Sequence, residues 1–267
     1  MFLRALLVIA SGFIFIFSPG LPMGLIGRNS PDYKRDLVYW GIGVWLVTNL
    51  INQFFSSLLR QVMYQGAIST GFTGQPLDYS FIFLSALIAA LFIGIGMLIV
   101  LRIKSKEQPA PALMADGLAL GFGAGLVAQV FTGITLVGAG FQVLFGNTAS
   151  NITIEAITSS STLLLSASII TLILFRVALL AISAVQGVLT ARSISGRKGL
   201  FWAGVLVMAL FSALILSIQL LLGGADAGQI SVGITPAPIS IVSAFYYLAA
   251  FIAAYYWLVK TLRIKKN

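Results

Sequence analysis

Phe81-Ile82-Phe83-Leu84-Ser85-Ala86-Leu87-Ile88-Ala89-Ala90-Leu91-Phe92-Ile93-Gly94-Ile95-Gly96-Met97-Leu98-Ile99-Val100-Leu101 carries no charge, and it ends against Arg102, Lys104 and Lys106. A helix needs about 20 apolar residues to cross a hydrocarbon layer roughly 30 Å thick. This stretch has the right length, and its basic end suits a membrane surface. Working outward, similar runs occupy 5–27, 37–59, 80–102, 112–136, 163–189, 200–222 and 239–259. They account for nearly all of the 267 residues and leave no room for a separate soluble domain. The expected fold is therefore all-α: one bundle over 1–267, polytopic, with seven transmembrane helices. The first span follows Arg4 and reads as a retained helix rather than a cleaved signal, with Ser18-Pro19-Gly20 and Pro22 breaking or kinking its second half.

Composition agrees. Hydrophobic residues make up 59% of the chain and charged residues 9%, too few charges for a water-facing shell. The net charge of +9 lies in short clusters between apolar runs, a pattern that sets topology rather than one that binds nucleic acid. Thirteen of the sixteen basic residues fall after the first, third, fifth and seventh spans: Arg28, Lys34, Arg35; Arg102, Lys104, Lys106; Arg192, Arg197, Lys198; and Lys260, Arg263, Lys265, Lys266. Only Arg4 and Arg60 lie on the other side. The positive-inside rule then places the N-terminus outside and the C-terminus in the cytoplasm, in an integral membrane protein of the plasma (cell inner) membrane. Tyr39, Trp40, Trp202 and the Tyr255-Tyr256-Trp257 cluster fall at the same edge, as interfacial aromatics do. The outer loops are expected at roughly 60–79, 137–162 and 223–238, and Asn151-Ile152-Thr153 there matches a glycosylation sequon.

Polar groups within hydrocarbon are expensive, so each is a candidate for function. Arg176 lies near the middle of the fifth span and shares a helical face with Ser183, Gly187 and Thr190. It is expected either to bond carbonyls or amides of neighbouring helices or to face a cavity or an anionic headgroup. Asp116 and Glu155 are the acidic residues nearest to pairing with it, at other depths. The second span carries Asn49, Asn52, Gln53, Ser56 and Arg60 at spacings of three and four, a stripe that either joins helices or lines a polar cavity. In the fourth span Gly117, Gly121, Gly125, Gln129 and Gly133 recur every four residues, a packing seam for a close neighbour.

Reactive chemistry is scarce. There is no Cys and no His, which removes thiolate metal sites, the cysteine nucleophile and the commonest general base. Seven acidic residues, mostly between spans, supply neither a metal set nor a membrane carboxylate pair. Retinal proteins need a Lys in the middle of their last helix, and Lys260 lies beyond the end of this one. No cofactor is expected.

Several segments resemble the YhfC family of intramembrane peptidases, relatives of the CAAX-protease and bacteriocin-processing group. Ala90-Leu91-Phe92-Ile93-Gly94-Ile95-Gly96-Met97 is similar to that family's third-helix pattern, with Ile93 and Gly94 where paired glutamates would stand and Met97 at an arginine position. Gly121-Phe122-Gly123-Ala124-Gly125 resembles a Gly-x-Gly-His-Gly pattern, with Ala124 at the histidine and Ala128 near a glutamate. Phe175-Arg176 with Ser183 matches a Glu-Arg pair followed by His, and Met208-Ala209-Leu210-Phe211-Ser212 looks like a His-Ala-Leu-Phe-Asp pattern. The resemblance covers residues 35–215. It implies the fold without the peptidase, since of the charged set only Arg176 remains. The function expected on this basis is a non-catalytic subunit or scaffold that packs against membrane lipids and other membrane protein subunits, with a transporter or permease component as the alternative.

Overall fold

A computed structural model of the chain describes residues 1–18, 34–71, 74–105, 108–146, 154, 157–158, 160–223 and 237–263. Among the described residues it is a bundle of seven helices: α1 (Phe2–Phe17), α2 (Arg35–Thr70), α3 (Gln75–Lys104), α4 (Ala110–Leu144), α5 (Thr162–Ile194), α6 (Gly199–Gly223) and α7 (Ala237–Arg263). Six are long and apolar enough to cross a membrane, and α1 is a shorter apolar helix. The expected all-α polytopic architecture is what is found.

Helix ends follow local chemistry. Ser161 caps α5, its hydroxyl accepting from the Leu164 amide at 3.2 Å. Gly71 and Gly74 turn the chain between α2 and α3 at φ of +71° and +80°, which side-chain-bearing residues rarely adopt, and Pro76 sits in the first turn of α3. The loops expected at 60–79 and 137–162 are shorter than the apolar runs imply, because α2 continues to Thr70 and α4 to Leu144. Gln61, Gln65 and Ser69 end hydrophobicity without ending the helix, which stops only where glycine permits a left-handed residue. At 36 residues α2 is about 54 Å long and must extend past a roughly 30 Å hydrocarbon layer. The expected outer loop at 223–238, the sequon at Asn151 and the proline-rich half of the first span lie mainly outside the described residues.

The centre is the α4–α5 pair. α4 packs on α1, α2 and α5, while α5 also meets α6 and α7, and α3 is held between α2 and α6. α4 can touch three helices because it has little side chain to separate them. A Cβ on Gly121 would fall on the Ser183 carbonyl of α5, one on Gly123 on the Val38 carbonyl of α2, and one on Gly133 within 2.6 Å of the Gly12 carbonyl of α1. The largest apolar cluster joins Val8 and Phe15 to Leu165, Leu172, Phe175, Val205, Phe211 and Tyr247. Trp257 and Leu258 of α7 pack near Met114 and Leu118 of α4, which brings the end of α7 beside the beginning of α4.

Candidate functional site

Asp116, on the first turns of α4, is fully buried. Its Oδ2 accepts the Ser105 hydroxyl from the end of α3 at 2.5 Å, lies 3.7 Å from the Lys34 ammonium at the start of α2, and accepts the Gln108 amide at 2.7 Å when that amide takes the orientation that satisfies both its ends. The Gln108 carbonyl oxygen in turn accepts from Lys34. One carboxylate thus clamps the ends of three helices. Asp116 is committed here and is no partner of Arg176. Lys34, Ser105 and Gln108 carry no sequence signal toward it, since they are brought to it only by folding.

The glycines expected to form one seam serve two neighbours. Gly117, Gly121 and Gly125 face Gly187, Ser183 and Leu180 of α5, whereas Gly133 faces α1. Gln129 goes with the second group, its Nε2 donating to the Ser18 hydroxyl at 2.8 Å. A four-residue step turns a helix by about 400°, so each step drifts about 40° and the repeat walks off one neighbour onto the next. Gly187 of α5 completes the seam from the other side, and Ser183 and Thr190 are buried within it.

Arg176 is on the same helix, but its guanidinium belongs to another neighbourhood. It lies over the Phe175 ring at 4.9 Å, within electrostatic reach of Tyr247 of α7, and its Nε is buried without a hydrogen-bond partner. Phe175 and Phe211 stack, as do Phe211 and Tyr246, and Tyr247 packs against Phe175 and Tyr246 at a tilt. Tyr246 donates to the Phe211 carbonyl at 3.2 Å. Ser243, one turn before Tyr247, is buried with an unpartnered hydroxyl. The Arg176 position was legible in the sequence; Tyr247 and Ser243 were not, because an isolated tyrosine or serine in an apolar span is ordinary.

In the stripe on α2, Asn49, Asn52 and Ser56 are half-buried and none of the five residues is fully buried. From 49 to 66 no residue of α2 is buried, and Gln53 and Arg60 are exposed. The side-chain bonds described there are local: Ser56 to Asn52 Oδ1 at 3.4 Å, and Ser57 to the Gln53 carbonyl at 2.9 Å. Arg60 reaches the Tyr64 ring at 5.7 Å, and Tyr64 donates to Asp78 of α3.

The positions that resemble peptidase motifs fall in more than one packing cluster, with Ile93 against two of them and Gly94 facing Gln186. Ala124 packs with Leu37, Val38 and Leu120 on the α2 side, Met208 lies in the α5–α6–α7 core, and Ser183 sits against Gly121 and Gly125. Among the described residues no three Asp, Glu, His or Cys side chains come together in a metal-binding arrangement. No family model, no curated protein and no solved structure matches the chain.

Proposed function

We propose that this membrane protein works by contact, as a non-catalytic subunit or scaffold whose α2 face receives a transmembrane helix of a partner protein. The observation that carries the reading is the stripe Asn49, Asn52, Gln53, Ser56 and Arg60, with Gln53 and Arg60 exposed and the other three half-buried, on a helix that buries no residue between 49 and 66. Hydrocarbon offers an amide no hydrogen bond, so polar side chains at this depth favour a neighbouring helix, each bond contributing about 0.6–2 kcal/mol. The partner should present polar groups of its own. The lack of a titratable side chain at Ile93, Gly94, Ala124, Ser183 and Met208 also favours a role without bond cleavage. The same reading keeps the C-terminus in the cytoplasm, on the basis of basic residues at that end of the bundle.

A photo-crosslinking residue at Leu46 or Ser57, both exposed and flanking the stripe, tests it against one at Leu206 of α6, also exposed. A protein adduct of defined mass is expected at 46 or 57 and not at 206, and Asn52→Leu with Gln53→Leu should abolish it. Lipid adducts alone at all three positions, or a protein adduct indifferent to both substitutions, would overturn the proposal.

A further inference from the structure

Arg176 stands about 21 Å along the α5 axis from Thr162, well inside the span. Its guanidinium carbon lies 4.9 Å from the centre of the Phe175 ring, and its N–H groups are what can bind a ligand. They have no described acceptor. Of the acidic residues, Asp116 is held by Lys34 and Ser105, Asp78 accepts from Tyr64, and Asp36 belongs to the first turn of α2. The others, Asp32, Glu107, Glu155 and Asp226, lie outside the described residues.

Two further hydroxyls lie nearby on α7. Tyr247 is nearly fully buried, its ring 5.0 Å from that of Phe175 and within electrostatic reach of Arg176, and unlike Tyr246 its hydroxyl is not engaged by a described carbonyl. Ser243, four residues earlier on the same face of α7, has its buried hydroxyl within hydrogen-bonding reach of the Tyr247 phenol but makes no well-formed bond. A guanidinium can only donate, and both hydroxyls are able to donate. Such a group of donors, walled by Phe175, Phe211 and Tyr247, is complementary to negative charge.

We infer that Arg176, Tyr247 and Ser243, at the packing of α5 on α7, form a binding site for an anionic oxygen group, a carboxylate or a phosphate. The guanidinium supplies charge and a planar fork, the phenol completes the coordination with the serine hydroxyl beside it, and the aromatic rings lower the local polarity. The group could be carried by an anionic lipid headgroup or be a free anion.

The test uses the full chain purified in an uncharged detergent, with thermal unfolding as the readout. Phosphatidylglycerol is titrated in one arm, with phosphatidylcholine as control, and inorganic phosphate or acetate in another. At least one anionic probe is expected to raise the midpoint by several degrees, and Arg176→Gln and Tyr247→Phe should each weaken its apparent affinity about tenfold or more. A response to phosphatidylglycerol alone identifies the headgroup as source, and a response to phosphate or acetate identifies a soluble anion. Tyr247→Phe preserves side-chain volume and keeps the test decisive if Arg176→Gln fails to fold. The site is refuted if no anionic probe distinguishes wild type from Tyr247→Phe or Arg176→Gln. It is refuted equally if Glu155→Gln or Asp226→Asn lowers the midpoint as much as Arg176→Gln with no further loss in the double variant, which would identify an internal counter-charge.

Discussion

Gly117 and Gly187 touch backbone to backbone: a Cβ built on either would fall on the carbonyl oxygen of the other. This contact brings the two central helices as close as helices can come, and the remaining bundle is arranged around them. Gly117→Ala or Gly187→Ala should therefore destabilise the fold by about 1–3 kcal/mol or more, since the obstacle is rigid backbone. Gly121→Leu and Gly125→Leu should disrupt it outright. Gly138, on α4 but with nothing near its Cβ position, is the control: Gly138→Ala should be neutral or stabilise by up to about 1 kcal/mol through lost chain entropy. Denaturant titration in mixed micelles measures all of these. Equal effects at 117 and 138 would mean that the close contact is dispensable.

Asp116 makes a different kind of prediction, because its carboxylate ties together α2, α3 and α4. Asp116→Ala leaves the Ser105 hydroxyl and the Gln108 amide without their acceptor in a buried place, and should cost about 2–4 kcal/mol. Lys34→Met should cost well under half of that, because the lysine side chain is 43% exposed and solvent screens the pair. Thermal unfolding of the two variants side by side checks the ordering. A larger loss from Lys34→Met would show that the ion pair, rather than the hydrogen bonds, holds the clamp.

How far the sequence led can be judged from particular residues. Span number and helix type were legible because hydrocarbon imposes a length and forbids unpaired backbone, so that an apolar run such as 81–101 has one solution. Helix ends were less legible, since Gln61 through Ser69 are polar yet remain helical outside the apolar layer. The glycine repeat announced close packing but not its direction: Gly123 faces α2 while Gly121 faces α5, a division set by helical drift and by which neighbours are present. Arg176 and Asp116 stood out as charges in apolar surroundings. Their actual neighbours, Tyr247 and Ser243 for one and Lys34, Ser105 and Gln108 for the other, are far apart in sequence and chemically commonplace. Only the packing of α5 on α7 and of α4 between α2 and α3 assembles them.

The last prediction concerns sidedness, which follows from charge. Lys34 and Arg35 begin α2, Arg102 and Lys104 end α3, Arg192 ends α5 and Lys260 lies near the end of α7; the clamp at Asp116 and the packing of Lys104 over Trp40 at 5.0 Å bring several of these to one end of the bundle. Arg4, which donates to the Thr158 carbonyl at 2.9 Å, and Arg60 lie toward the other. Translocating the crowded end across a membrane would be unfavourable, so it should stay in the cytoplasm. The chain has no cysteine, and single cysteines can be introduced without background. Ser69 near the end of α2 and Ser195 after α5 are both exposed, and each makes only a local hydrogen bond to a backbone carbonyl. Ser69→Cys should react with a membrane-impermeant maleimide in intact cells, and Ser195→Cys only after permeabilisation. The reverse pattern would invert the topology.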